Sequence, residues 1–82
     1  MKRLLFFSTS WCGPCKSLKP LMESLQMQMP ITFIDAEASP QTTAEYSVKS
    51  VPTIILIDGN GREKGRLVGV QTEASIRELY NR

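Results

Sequence analysis

The sequence predicts an α/β fold in the order β-α-β-α-β-β-α, a four-stranded mixed sheet with helices on both faces. Three observations carry this reading. Short apolar runs at Leu4-Leu5-Phe6-Phe7, Ile31-Thr32-Phe33-Ile34 and Thr53-Ile54-Ile55-Leu56-Ile57 have the length and the β-branched or aromatic content of strands. Between and after them, apolar residues recur at helical spacing, first Leu18, Leu21, Met22, Leu25 and Met29, later Ile76, Leu79 and Tyr80. Asp58-Gly59-Asn60-Gly61 is a turn signal that joins the third run to a fourth strand candidate as a hairpin. Strands linked through a helix form a parallel pair with a right-handed crossover, and the hairpin adds antiparallel neighbours.

In chain order, Arg3 to Ser8 reads as a strand buried on both faces. Ser8-Thr9-Ser10-Trp11 is a polar turn ending in an aromatic placed to shield the cysteine that follows. Gly13 and Pro14 suit the first turn of a helix, where proline sacrifices no hydrogen bond. The helical spacing then runs to about Gln28, with the methionines as core filler. Pro20 falls inside this helix, where it removes one hydrogen bond. Ile31 to Asp35 reads as a second buried strand. Ser39-Pro40 is an N-cap and an N1 proline opening a short helix to about Ser47, with Ala44 and Tyr46 facing inward. Thr53 to Ile57 is the most β-prone run and belongs at the centre of the sheet. Arg62 to Val70, polar at first and interrupted by Gly65, is an edge strand whose charges discourage further pairing. Thr72 caps a last helix with Glu73 in its first turn.

Eighty-two residues, 41% of them apolar, make one small domain spanning 1–82. The formal net charge of +2, with no basic run, argues against nucleic acid as a partner. Met1-Lys2-Arg3 before Leu4-Leu5-Phe6-Phe7 mimics the start of a signal peptide, but the apolar run falls short of the roughly 7–15 residues required. No stretch approaches a membrane span. A cytoplasmic protein is expected, in a compartment where a Cys-x-x-Cys pair serves redox or metal chemistry more often than stapling.

The chemistry resides in Trp11-Cys12-Gly13-Pro14-Cys15, which holds the only two cysteines of a chain without histidine. The thiolate is the reactive form, and a free thiol with a pKa of about 8.5 is mostly protonated at neutral pH. A cysteine at a helix N-terminus meets unpaired N–H groups and the positive end of the helix dipole, both of which favour the thiolate. Cys12 has that place, and Cys15, three residues on, lies on the same helix face within reach of it. Cys12 is the expected nucleophile, exposed at the helix tip, and Cys15 the resolving cysteine that cleaves the mixed disulfide. Lys16 adds positive potential. A structural zinc site needs four ligands, and two thiols supply half of one, complete only if two chains shared the metal. A structural disulfide closing so short a loop would contribute only about 2 kcal/mol on the chain-entropy model.

Trp11-Cys12-Gly13-Pro14-Cys15-Lys16 resembles the active-site motif of the thioredoxins. Ser50-Val51-Pro52-Thr53 is similar to the cis-proline loop of that family, and Val68-Gly69 to its glycine beside the disulfide. The order and rough spacing of all three match over nearly the whole chain. The first strand and helix of a typical thioredoxin have no counterpart, which leaves a minimal thioredoxin fold of glutaredoxin size. The resemblance implies a dithiol–disulfide reductase with no bound cofactor or metal, its redox-active disulfide being Cys12–Cys15. It implies disulfide-containing protein substrates, electrons from a flavin-dependent thioredoxin reductase, and a monomer. It also implies a cis Val51–Pro52 bond, where the residues alone favour trans at a strand start. The Val51 backbone would then face an extended substrate segment. Trp11, Gly13, Pro14, Val51, Pro52, Gly69 and Val70 would form an apolar recognition surface, with Gly69 allowing close backbone approach.

The sequence departs from the family at Phe6, where thioredoxins carry a buried aspartate that helps to deprotonate the second cysteine. The lysine that accompanies it has no equivalent, since Ile31 and Thr32 fall there. No substitute is expected: Asp35 lies at the far end of its strand, which leaves water, the leaving thiolate, or Thr9 and Ser10. Two other functions remain open. The short outline suits a glutaredoxin-type enzyme reduced by glutathione, although Gly13-Pro14 replaces the Pro-Tyr-like pair usual there. A binding module whose cysteines no longer cycle is the third.

Overall fold

The computed structural model describes residues Met1–Arg82. Its elements are β1 (Arg3–Ser8), α1 (Gly13–Leu25), β2 (Ile31–Asp35), α2 (Pro40–Glu45), β3 (Thr53–Ile57), β4 (Glu63–Val68) and α3 (Glu73–Tyr80). The sheet order is β2-β1-β3-β4, with β1 parallel to β2 and the other two pairs antiparallel. This is the minimal thioredoxin topology expected from the sequence.

Alternation along the strands divides the core into two layers. Leu4 and Phe6 of β1, Ile54 and Leu56 of β3 and Ile31 of β2 pack with Leu18, Met22 and Leu25 of α1 and with Ile76 and Leu79 of α3. The intervening Leu5, Phe7 and Ile55 face the other way, against Tyr46 and Val48 around α2. Helices therefore cover both faces. Gly65 lets the C-terminal helix and the residues after it lie close to β4: a Cβ there would lie 2.8 Å from Arg82 Nη1 and 2.9 Å from Leu79 Cδ1. The β3–β4 register shifts between Leu56 and Ile57, so the hairpin strand is irregular at its start.

Several local expectations change. Helix α1 ends at Leu25 and passes through turns to Met29, about three residues before the expected end, because Met29 is carried into the core by the turn. Strand β2 is an edge strand, and only Ile31 of its five residues is buried. Its apolar composition suits an interior strand, but nothing pairs with its outer edge. Helix α2 stops at Glu45, has no buried residue, and exposes Ala44. Ser39 occupies the N-cap position without a side-chain capping bond, and Asp35 organises this corner by accepting from the Glu37 and Ala38 N–H groups. At α3 the Thr72 hydroxyl does cap, accepting from the Ser75 N–H at 3.1 Å.

Candidate active site

Strand β1 delivers the chain at Ser8 into the turn Thr9-Ser10-Trp11, and α1 begins at once. Cys12 is the N-cap of that helix, with extended backbone, and Pro14 lies in the first turn where its missing N–H is not needed. Cys12 and Cys15 are joined as a disulfide across one helical turn, their Cα atoms 5.2 Å apart. The Cys15 N–H points at Cys12 Sγ at 3.1 Å, so an N–H that the helix leaves unpaired is aimed at the first sulfur. Both cysteines are buried, Cys12 at 5% and Cys15 at 2% exposure. Cys12 is thus not the exposed residue expected at a helix tip, because the cis-proline loop packs over it. The Val51 carbonyl oxygen lies 3.8 Å from Cys12 Sγ.

Three separate segments are tied together around the sulfurs. The Val51–Pro52 bond is cis, as the resemblance implied. Thr53 Oγ1 donates to the Ser50 carbonyl at 2.7 Å and fixes the loop from below. The Gly69 N–H donates to the Pro52 carbonyl at 2.8 Å, binding the end of β4 to the same loop. Gly69 has φ +89° and open space where a Cβ would be, so the glycine is required by backbone conformation and not by crowding. Trp11 stands out at 67% exposure, and Val68 and Val70 are exposed too. Val68, which shares the family resemblance with Gly69 but has no place in the expected recognition surface, is 56% exposed beside it.

Phe6 is fully buried on the α1 face, with its ring edge-on to Phe33 at a centroid distance of 5.7 Å. The expectation that Asp35 is remote from the cysteines is overturned. Strands β1 and β2 are parallel, so the C-terminal end of β2 lies at the disulfide end of the sheet, with Asp35 paired to Ser8. Ser8, Thr9, Ser10, Cys15, Lys16, Lys19, Phe33, Ile34 and Asp35 line one cleft beside α1. Sequence distance concealed this: twenty residues separate Cys15 from Asp35, and only the crossover topology brings them together. A second cleft, between Trp11 and Val51 on the α2 side, also touches Thr9.

No group of three or more His, Cys, Asp or Glu side chains is placed to hold a metal ion. No helix is long and apolar enough to cross a membrane. The carboxylates with displaced titration lie far from the disulfide in sequence, on the hairpin. The Arg62 and Asn60 N–H groups hold Asp58 below its ordinary value, and the Arg66 guanidinium does the same for Glu63.

A family model described as Thioredoxin matches residues 1–82. Among curated relatives, a thioredoxin of Chlamydia trachomatis is 39% identical over 82 residues, covering 96% of this chain and 79% of that one. A thioredoxin of Rickettsia conorii is 34% identical over 83 residues, covering 96% and 78%. Among solved structures, a mutant thioredoxin from Halobacterium salinarum superposes with a TM-score of 0.89 at 32% identity, covering 98% of this chain and 72% of that one. A Fasciola hepatica thioredoxin gives 0.88 at 29% identity, covering 98% and 78%. The fold, the cysteine pair at the start of α1 and these relatives agree: the chain belongs to the thioredoxin family, and Cys12–Cys15 is the redox-active disulfide of a thiol–disulfide oxidoreductase.

Proposed function

We propose that this protein reduces disulfides in other proteins, with Cys12 as nucleophile and Cys15 as resolving cysteine. The observation that carries the assignment is the Cys15 N–H aimed at Cys12 Sγ across the first turn of α1. Once the disulfide is reduced, that N–H and the helix dipole stabilise a thiolate at Cys12 and not at Cys15. Cys12 attacks one sulfur of the substrate disulfide and forms a mixed disulfide, expelling the other as a thiolate. Cys15 then attacks Cys12 Sγ, which restores the Cys12–Cys15 disulfide and frees the second substrate thiol. Two electrons leave the protein in each cycle.

Trp11, Gly13, Pro14, Val51, Pro52, Gly69 and Val70 form the surface that receives the substrate. Its apolar character suits an extended peptide segment, to which the Val51 backbone offers main-chain pairing while Gly69, without a side chain, leaves room for its approach. It acts as a monomer in the cytoplasm, with no bound cofactor and with neither nucleic acid nor a membrane as partner. A flavin-dependent thioredoxin reductase returns the electrons.

A coupled assay tests this reading. The oxidised protein is offered either NADPH with thioredoxin reductase or NADPH with glutathione and glutathione reductase, and reduction of a disulfide-bonded protein is followed. Turnover with the first system is expected. Turnover with glutathione alone would make it a glutaredoxin-type enzyme. Full biological activity in the double variant Cys12→Ser, Cys15→Ser would make it a non-cycling binding module.

A further inference from the structure

The cleft beside α1 is not part of the recognition surface, yet it reaches the buried cysteine. To attack Cys12, Cys15 must lose its proton, and at 2% exposure it has little contact with bulk water. Phe6, at the position where thioredoxins carry their buried aspartate, offers no acceptor, and the chain has no histidine. The ionisable side chains that share the cleft with Cys15 are Lys16, Lys19 and Asp35. The lysines carry donors and positive charge and favour a thiolate, but as ammonium groups they accept no proton. Asp35 is the one acceptor.

The strand geometry explains how it comes to be there. Ile31, Phe33 and Asp35 alternate onto the α1 face of the sheet, opposite Leu4, Phe6 and Ser8 in the parallel register. Ser8 is small, so the space under the first turn of α1 stays open where Phe6 fills the layer below. Lys19 follows Cys15 by one turn on the same helix face. Asp35 is held rather than free to swing, since its Oδ1 accepts from the Glu37 N–H at 2.9 Å and the Ala38 N–H at 3.3 Å. It forms no ion pair, and neither do Lys16 and Lys19. The wall between this cleft and its neighbour is Thr9, whose residue is 8% exposed and whose Oγ1 is buried without a hydrogen-bond partner. A buried hydroxyl in that condition calls for a partner, and a rotation about the Thr9 Cα–Cβ bond would turn it toward water in a cleft that the residue lines. Across Thr9, the neighbouring cleft presents Glu37 and Lys49.

We propose that this cleft is the exit for the Cys15 proton, with water held by the Thr9 and Ser8 hydroxyls passing it to the Asp35 carboxylate. The proposal rests on the reading of Cys15 as resolving cysteine. In the mixed disulfide, the Cys15 S–H proton moves through water to Asp35. The Cys15 thiolate attacks Cys12 Sγ, the Cys12–substrate S–S bond breaks, and the substrate leaves as a thiolate. Asp35 then returns the proton to solvent. Asp35 acts through water and does not touch the sulfur.

The test is stopped-flow reaction of the reduced protein with an aromatic disulfide whose thiolate is coloured. Attack by Cys12 releases one coloured thiolate, and attack by Cys15 releases the second. Two successive releases are required by the underlying reading, and a single release that never progresses would sink that reading, not the cleft. In Asp35→Asn the first release should be unchanged. The second should slow by roughly 100-fold near pH 7, the low end of the range for lost general-base assistance, and converge on the wild-type rate well above the thiol pKa of about 8.5. Asn keeps the Oδ1 acceptor for Glu37 and Ala38. A negative charge that merely sat near Cys15 would predict the opposite sign, since its removal eases thiolate formation. An unchanged or faster second release in Asp35→Asn therefore overturns the proposal. Should that variant lose its fold, Thr9→Val decides. It removes a hydroxyl with no protein partner, so a structural role predicts an unchanged second release, whereas the relay predicts a slower one with its pH profile shifted upward.

Discussion

Replacing Phe6→Asp restores the residue type usual in the family at a site that the rest of this chain has rebuilt around a phenyl ring. Phe6 is 0% exposed, in contact with the layer that α1 and α3 share, and edge-on to Phe33. Burying 150–250 Å² of aromatic side chain is worth about 4–6 kcal/mol at about 25 cal/mol per Å². Large-to-small changes at such positions cost roughly 3–5 kcal/mol. A carboxyl group enclosed there without a partner adds about 1–3 kcal/mol. The expected loss is therefore about 4–8 kcal/mol, against a total of about 4–12 kcal/mol for 82 residues at 0.05–0.15 kcal/mol per residue. At the middle of both ranges about 6 of about 8 kcal/mol are lost, so the variant should keep only about 2 kcal/mol and unfold at much lower denaturant. Urea denaturation followed by the fluorescence of Trp11, with circular dichroism as second probe, measures it. Phe6→Leu separates the ring from the charge and should lose only about 1–2 kcal/mol, from the aromatic pair and a small cavity. If Phe6→Asp unfolds within about 1 kcal/mol of wild type, Phe6 is not the anchor that its burial and contacts indicate, and the layer can admit a carboxylate.

Further predictions are independent of this one. Limited alkylation of the reduced protein near neutral pH, read by peptide mapping, should label Cys12 before Cys15, and the reverse order would exchange their roles. Gly69→Ala places a Cβ on a residue with φ +89° and should cost about 1–2 kcal/mol, read as a fall in Tm of about 4–16 °C, even though the side chain meets no neighbour. An unchanged Tm would mean that the segment relaxes to negative φ. Asp58 is held below its ordinary value of 3.8, so its contribution to stability is present above that value and is lost as pH falls through the lower folded value. Asp58→Asn should accordingly narrow the Tm difference between pH 7 and pH 2 relative to wild type; an identical pH dependence in the two proteins would remove Asp58 from the acid transition.

The element order, the hairpin, the helix that starts at the cysteines and the resemblance that names the family are all legible in the amino-acid sequence. Those properties are local: turn residues, capping and periodicity act over spans of four to about a dozen residues. The misreadings are local signals that tertiary position overrode. Ile31 to Asp35 has the composition of an interior strand, but strand position depends on which neighbours are present, and β2 takes the edge. Ala44 follows an inward helical spacing on a helix too short and too peripheral to bury it. Cys12 belongs to a helix tip, where sequence predicts exposure, yet a loop almost forty residues away folds over it. The placement of Asp35 is the clearest case. Its identity and strand were legible, but its nearness to Cys15 depends on β1 and β2 being parallel and in register Ser8 with Asp35. That register is fixed by the burial of Leu4, Phe6 and Ile31 in one layer, because a one-residue slip would turn every side chain of β2 to the other face. Which distant residues share the space around the sulfurs is thus a consequence of packing whole faces together, and no short window of sequence records it.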